Sequence, residues 1–128
     1  MPESRFPPVA PPSSPYAAEL QAFCLAFPEA WEDYPWGETV YKVGARVFTF
    51  LGGEPVAGVT VKATLADSDV LVQMPHIERS KYIGRYGWVS VQIADDAAFE
   101  HAKELIEQSY RLVYKPRRRN KEPGTRNK

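Results

Sequence analysis

Cysteine is nearly absent from this chain. Cys24 stands alone among 128 residues, so no intramolecular disulfide can staple the fold. It falls within an apolar helical pattern, where a free thiol is a packing residue and not a nucleophile. Histidine is almost as scarce: neither His76 nor His101 has a cysteine or a second histidine at a metal-ligand spacing. No metal site and no cofactor are expected. No apolar run approaches the ~20 residues that cross a bilayer, and the opening MPESRFPPVAPPSSP lacks the apolar stretch of a secretory signal. The expected location is therefore cytoplasmic, with no membrane partner. No phosphate-loop or dinucleotide glycine pattern occurs, and no G-x-S-x-G elbow presents a serine. The carboxylates Glu29, Glu32, Asp33 and Glu38 cluster in a polar stretch, which reads as solvated and not as an acid/base pair. The expectation is a protein without catalytic residues.

What is present is the material of one small domain. Hydrophobic residues make up 44% and aromatics 12%, enough for a real core at this length. The formal net charge of zero conceals two opposed blocks. Residues 115–128 (KPRRRNKEPGTRNK) hold seven Lys/Arg against one Glu, a net of +6, and the remainder of the chain carries −6. A cationic run of this kind repels itself, stays extended and attracts polyanions by releasing their counterions. Lys115, Arg117, Arg118, Arg119 and Lys121 are its densest part. At the other end, residues 1–15 hold six of the twelve prolines, which predicts an extended, mobile leader. The expected organisation is a leader over 1–13, a domain over 14–115 and a basic tail over 116–128.

Within the domain the punctuation is clear. Ser14 and Pro15 suit the cap and first position of a helix whose apolar residues run from Tyr16 to Phe27 and which Pro28 ends. An acidic connector, Glu29 to Gly37, carries Trp31, Tyr34 and Trp36. Strands are predicted over 39–43 and 46–51, joined by a Gly44-Ala45 type II′ turn, then over 56–63 after Gly52-Gly53-Glu54-Pro55. A short helix is predicted from near Asp67 to before Pro75, an irregular arm over 77–87, and a strand over 88–93. Asp95 caps a last amphipathic helix with Phe99, Ala102, Leu105, Ile106, Ser109, Leu112 and Val113 along one stripe, closed by Pro116. Short strands joined by tight turns and flanked by helices give an α+β domain: a largely antiparallel sheet with N- and C-terminal helices on one face.

Strand parity then divides the sheet. With Val59, Val61, Val89, Val91 and Tyr41 turned toward the helices, Lys42, Thr60, Lys62, Trp88, Ser90 and Gln92 point to the other side. Cations, hydroxyls and one indole on a single face suit a phosphate-bearing chain, lysine to phosphate and indole to base. A covering terminus over Trp88 and solubilising lysines are the competing interpretation.

One ordered set of residues carries a resemblance. Phe27-Pro28-Glu29-Ala30, Pro35-Trp36-Gly37, Tyr41-Lys42-Val43-Gly44, Val61-Lys62, Tyr82-Ile83-Gly84, Gly87-Trp88-Val89 and Ser109-Tyr110-Arg111-Leu112-Val113 together resemble the MmcQ/YjbR-like proteins over about residues 16–114. The resemblance implies a frataxin-like α+β sandwich of a double-wing DNA-binding type, found mostly in small bacterial proteins. Lys42, Lys62 and Trp88 fall at positions matching its motif. The leader and the tail lie outside it. A frataxin-like fold also raises iron binding, but the first helix carries only Glu19 as an acidic residue, which does not favour it. The functional expectation is a non-enzymatic nucleic-acid-binding protein, DNA first, using Lys42, Lys62, Trp88 and the tail cations. The alternative is a protein–protein adaptor using the aromatic connector from Trp31 to Trp36.

Overall fold

The computed structural model describes residues 4–10, 14–53 and 56–115, with Trp36 described in its backbone only. Helix α1 (Pro15–Leu25) starts where the sequence places it: the Ser14 hydroxyl accepts the Tyr16 N–H at 3.2 Å and proline occupies the first position. Six strands follow, β1 (Ala30–Asp33), β2 (Thr39–Val43), β3 (Arg46–Gly52), β4 (Ala57–Lys62), β5 (Ile77–Arg79) and β6 (Trp88–Ile93). Helix α2 (Leu65–Leu71) lies between β4 and β5, and α3 (Asp96–Val113) ends the domain. All pairings are antiparallel, in the order β1-β2-β3-β4-β6-β5. The architecture is α+β, with the N- and C-terminal helices packed against the sheet.

The last helix is capped as its sequence predicts, the Asp95 carboxylate accepting the Ala98 N–H at 2.9 Å. Its stripe of Phe99, Ala102, Leu105, Ile106, Tyr110 and Val113 is buried against Val59, Val61, Val89, Val91 and Ile93. Cys24 is fully buried in the same core, and desolvation, aided by the field of Glu32, pushes its thiol up to about 12. Each large side chain removed from water here contributes roughly 1.5–3 kcal/mol.

Two elements differ from the expectation. The acidic connector is a strand and a turn: β1 pairs with β2 in the register Trp31↔Lys42 and Asp33↔Val40, and Pro35–Gly37 makes one 3₁₀ turn. The arm over 77–87 contains edge strand β5 and a second 3₁₀ turn, Gly84–Tyr86. In addition, α2 begins at Leu65, two residues before Asp67, because Thr64 and not Asp67 supplies the cap: its hydroxyl accepts the Asp67 N–H at 3.0 Å.

The sheet carries one bulge. Tyr41 pairs with Thr49 but Lys42 pairs with Val47, leaving Phe48 as the extra residue in β3. Both Phe48 and Thr49 are then buried, and Phe48 packs edge-on to Phe27 and Tyr110. Ser109 of α3 closes the gap the bulge leaves. Its hydroxyl donates to the Phe48 carbonyl at 2.7 Å and accepts the Lys62 N–H at 2.9 Å, so helix, bulge and β4 share one polar contact.

Candidate nucleic-acid interface

Alternation in β4 and β6 is clean. Val59, Val61, Val89, Val91 and Ile93 are buried beneath the helices, while Thr60, Lys62, Trp88 and Ser90 are half-buried and Gln92 exposed on the opposite side. The register makes Lys62 and Trp88 direct cross-strand partners, and Thr60 and Ser90 the next outward pair. Thr60 Oγ1 and Ser90 Oγ are hydrogen-bonded at 3.0 Å. Phe50 of β3, cross-strand partner of Thr60, meets the Trp88 ring edge-on with centroids 5.7 Å apart. Trp88 is therefore braced on one edge and partly accessible on the outer face.

Gly87 positions that indole. Its φ is +99°, and a Cβ there would stand 2.1 Å from the Ala63 carbonyl oxygen, so only glycine lets the chain enter β6 this close to the end of β4. The Ala63 N–H donates to the Gly87 carbonyl at 3.0 Å, which locks the approach.

The three sequence-predicted residues of the face are not equivalent. Lys62 has no ion pair or side-chain hydrogen bond among the described residues. Lys42, two strands away (about 10 Å by strand spacing), is engaged: Nζ donates to Asp33 Oδ2 at 2.9 Å and stands 4.9 Å over the Trp31 ring. Asp33 is itself almost fully buried. Burial opposes its charge, but donation from the Ser4 hydroxyl, from Lys42 and from the Tyr34 N–H outweighs it, and the carboxyl titrates below its ordinary range. Lys42 serves as the counter-ion of this buried carboxylate, whereas Lys62 has no such partner among the described residues. Lys115 follows α3 and is exposed, while Arg117, Arg118, Arg119 and Lys121 lie outside the described residues.

Strand parity does not reach the residues of the loop between β5 and β6. The Ser80 N–H donates to the Trp88 carbonyl at 3.1 Å, so this loop begins against the first residue of β6. Tyr82 is 91% exposed and holds φ +69°, a strained conformation for a tyrosine. Arg85 lies over the Tyr86 ring at 5.0 Å, and Tyr86 is more than half exposed. With exposed Lys81, the loop thus carries two exposed aromatic rings and two exposed cations. Their sequence signals were the Tyr82-Ile83-Gly84 piece of the resemblance and their density in a segment bounded by Pro75 and Gly87.

Two of the connector aromatics, Trp31 and Tyr34, make hydrogen bonds within the fold. Trp31 Nε1 donates to the Gly44 carbonyl at 2.9 Å, and the Tyr34 hydroxyl donates to Glu32. That hydrogen bond and the burial of the ring push the Tyr34 phenol up to about 12. The two histidines, distant in sequence, meet ring to ring at 5.7 Å. No group of three or more His, Cys, Asp or Glu able to hold a metal ion occurs among the described residues, and none of their helices is long and apolar enough to cross a membrane.

A family model described as YjbR matches residues 25–112. The chain belongs to the YjbR family. Two solved structures share its fold. One is a Deinococcus radiodurans protein carrying the DUF419 family-model domain, 24% identical, with 77% of this chain and 78% of that one covered and a TM-score of 0.67. The other, from Pseudomonas syringae, is 17% identical over 76% of this chain and 97% of that one, with a TM-score of 0.61. At these identities the likeness speaks for fold alone. No curated protein matches the chain.

Proposed function

We propose that this YjbR-family chain is a non-enzymatic nucleic-acid-binding protein, acting on DNA through the outer sheet face around Lys62 and Trp88 and through the basic tail. One observation carries the reading: a lysine with no ion pair among the described residues sits directly across the ladder from a partly exposed, edge-braced tryptophan. A phosphate at Lys62 brings the neighbouring base within reach of the indole, and Tyr82 and Tyr86 extend the aromatic surface to the sheet edge. Hydroxyl and amide groups of Thr60, Ser90 and Gln92 supply further hydrogen bonds. Stacking and phosphate contact favour single strands or locally opened duplex, with little sequence preference.

The test is a fluorescence titration of single-stranded and duplex oligonucleotides with two variants at two salt concentrations. Lys62→Ala removes one phosphate contact and should reduce the log–log salt slope by roughly 0.7 on single strands. Trp88→Ala should weaken single-strand binding by ~1–3 kcal/mol with little change of slope. Melting curves accompany both, since Trp88 also touches Phe50. Two folded variants that bind as the parent does would remove the outer face from the account.

A further inference from the structure

The outer face is not bare. Val40 and Asp33 are cross-strand partners on the side away from the helices, yet Val40 is fully buried and Asp33 nearly so. The proline-rich leader reaches this region. The Ser4 hydroxyl donates to Asp33 Oδ1 at 2.6 Å, and Phe6 is half-buried. Val9 and Ala10 line a groove of about 780 Å³ whose other walls include Phe50, Thr60, Ser90 and Gln92. The floor of this groove is a cross-strand pair without side chains, Gly52↔Gly58. A Cβ on Gly58 would make a tight 3.2 Å contact with the Val91 carbonyl oxygen, while one on Gly52 would meet nothing within 4 Å.

We propose that this groove, one wall of which the leader supplies in cis, is a docking surface for an extended, proline-rich chain, and that the leader and the nucleic acid compete for the outer face. The inference rests on the function proposed above and adds its regulation. An extended proline-rich segment suits the surface because its backbone has no internal hydrogen bonds to break and few N–H groups to satisfy. The flat glycine floor admits a backbone, while Thr60, Ser90 and Gln92 offer hydroxyl and amide groups to its carbonyls. Phe50 is the shared residue: it lines the groove and braces the Trp88 ring. A polymer seated at Lys62 and Trp88 that extends along Thr60, Ser90 and Gln92 enters the groove that Val9 and Ala10 wall. A tethered occupant acts at an effective concentration in the millimolar range, so weak contacts suffice to hold the leader in place.

The experiment keeps the full chain and its charge, loosening the leader with Ser4→Ala, Phe6→Ser and Val9→Ser together. Affinity for short and long oligothymidylates is read by anisotropy for the parent and the loosened form. A synthetic peptide of residues 1–13 is then added in trans. The loosened form should bind the long oligonucleotide several-fold more tightly than the parent, with a smaller gain on the short one, and the peptide should reverse the gain. Equal affinities of the two forms, or a peptide without effect, overturn the competition. If neither form binds any oligonucleotide, the function itself falls and the competition with it. Docking is then read separately, from peptide-induced amide shifts at Gly58, Ser90 and Gln92 of the loosened form, and their absence overturns the groove as well.

Discussion

Ser109 shows how much one hydroxyl can hold. Its place in the apolar stripe of the last helix is legible from spacing, but its role is not, because a bulge in a distant strand leaves no mark in the sequence. Ser109→Ala leaves the Phe48 carbonyl and the Lys62 N–H without their buried partner, at a cost of roughly 2–4 kcal/mol. A melting curve should fall by roughly 10 °C or more, and an unchanged midpoint would mean that water replaces the hydroxyl. Asp33 makes a second residue-scale prediction. Its folded pKa is depressed, so the stability it contributes is present above the unfolded value of about 3.9 and is lost as pH falls through the lower, folded value. Acid titration of Asp33→Asn should show a shallower loss of stability below about pH 4 than the parent; identical acid limbs would deny the Ser4–Asp33–Lys42 cluster any energetic role. Cys24 supplies a third. With its thiol raised to about 12 and no exposed surface, it should resist alkylation in the native protein at pH 8 and react only on unfolding; rapid labelling would contradict its burial.

Elements with strong local signals are where sequence and structure agree. The caps at Ser14 and Asp95, the Gly44 turn with φ +62°, and alternation through 57–62 and 88–93 each locate an element. The two missed strands are the edges of the sheet. β1 reads Ala-Trp-Glu-Asp and β5 reads Ile-Glu-Arg, four and three residues long. An edge strand needs only one buried neighbour and protects its open side with charge, so its sequence looks like a polar loop. The same effect hid the counter-ion of Lys42: Asp33 counted as a solvated connector carboxylate until β1 set it beside β2. Between elements, Gly87 is the position most open to test. Gly87→Ala forces a Cβ onto the Ala63 carbonyl at a positive φ, which should cost roughly 1–3 kcal/mol and change the Trp88 fluorescence. A stable variant with an unshifted emission maximum would show that the β4–β6 junction tolerates displacement.

For the molecule as a whole, the division of charge matters most. The residues before 115 carry a net of −6 and those from 115 onward +6, so the tail should dominate encounter with a polyanion while the outer face sets what is held. Removing residues 115–128 should weaken binding at low salt and flatten a log–log slope of roughly −3 to −4 on duplex DNA, with the melting temperature nearly unchanged. Equal affinity without the tail would make it a solubility appendage. The charge blocks were readable from the sequence, as was the parity that separates Lys62 and Trp88 from the core. The loop carrying Tyr82, Arg85 and Tyr86 was not, because its place next to β6 is set by the pairing of β5 with β6. The central claim, that nucleic acid is held on the outer face, is tested most directly by photocrosslinking. A single-stranded oligonucleotide carrying 5-iodouracil is irradiated with the full-length protein, and the modified residues are mapped by mass spectrometry. Crosslinks should concentrate at Trp88, Tyr82 and Tyr86 and be lost with salt as the complex dissociates. Crosslinks confined to the helix-covered face, or to the tail alone, would contradict the account.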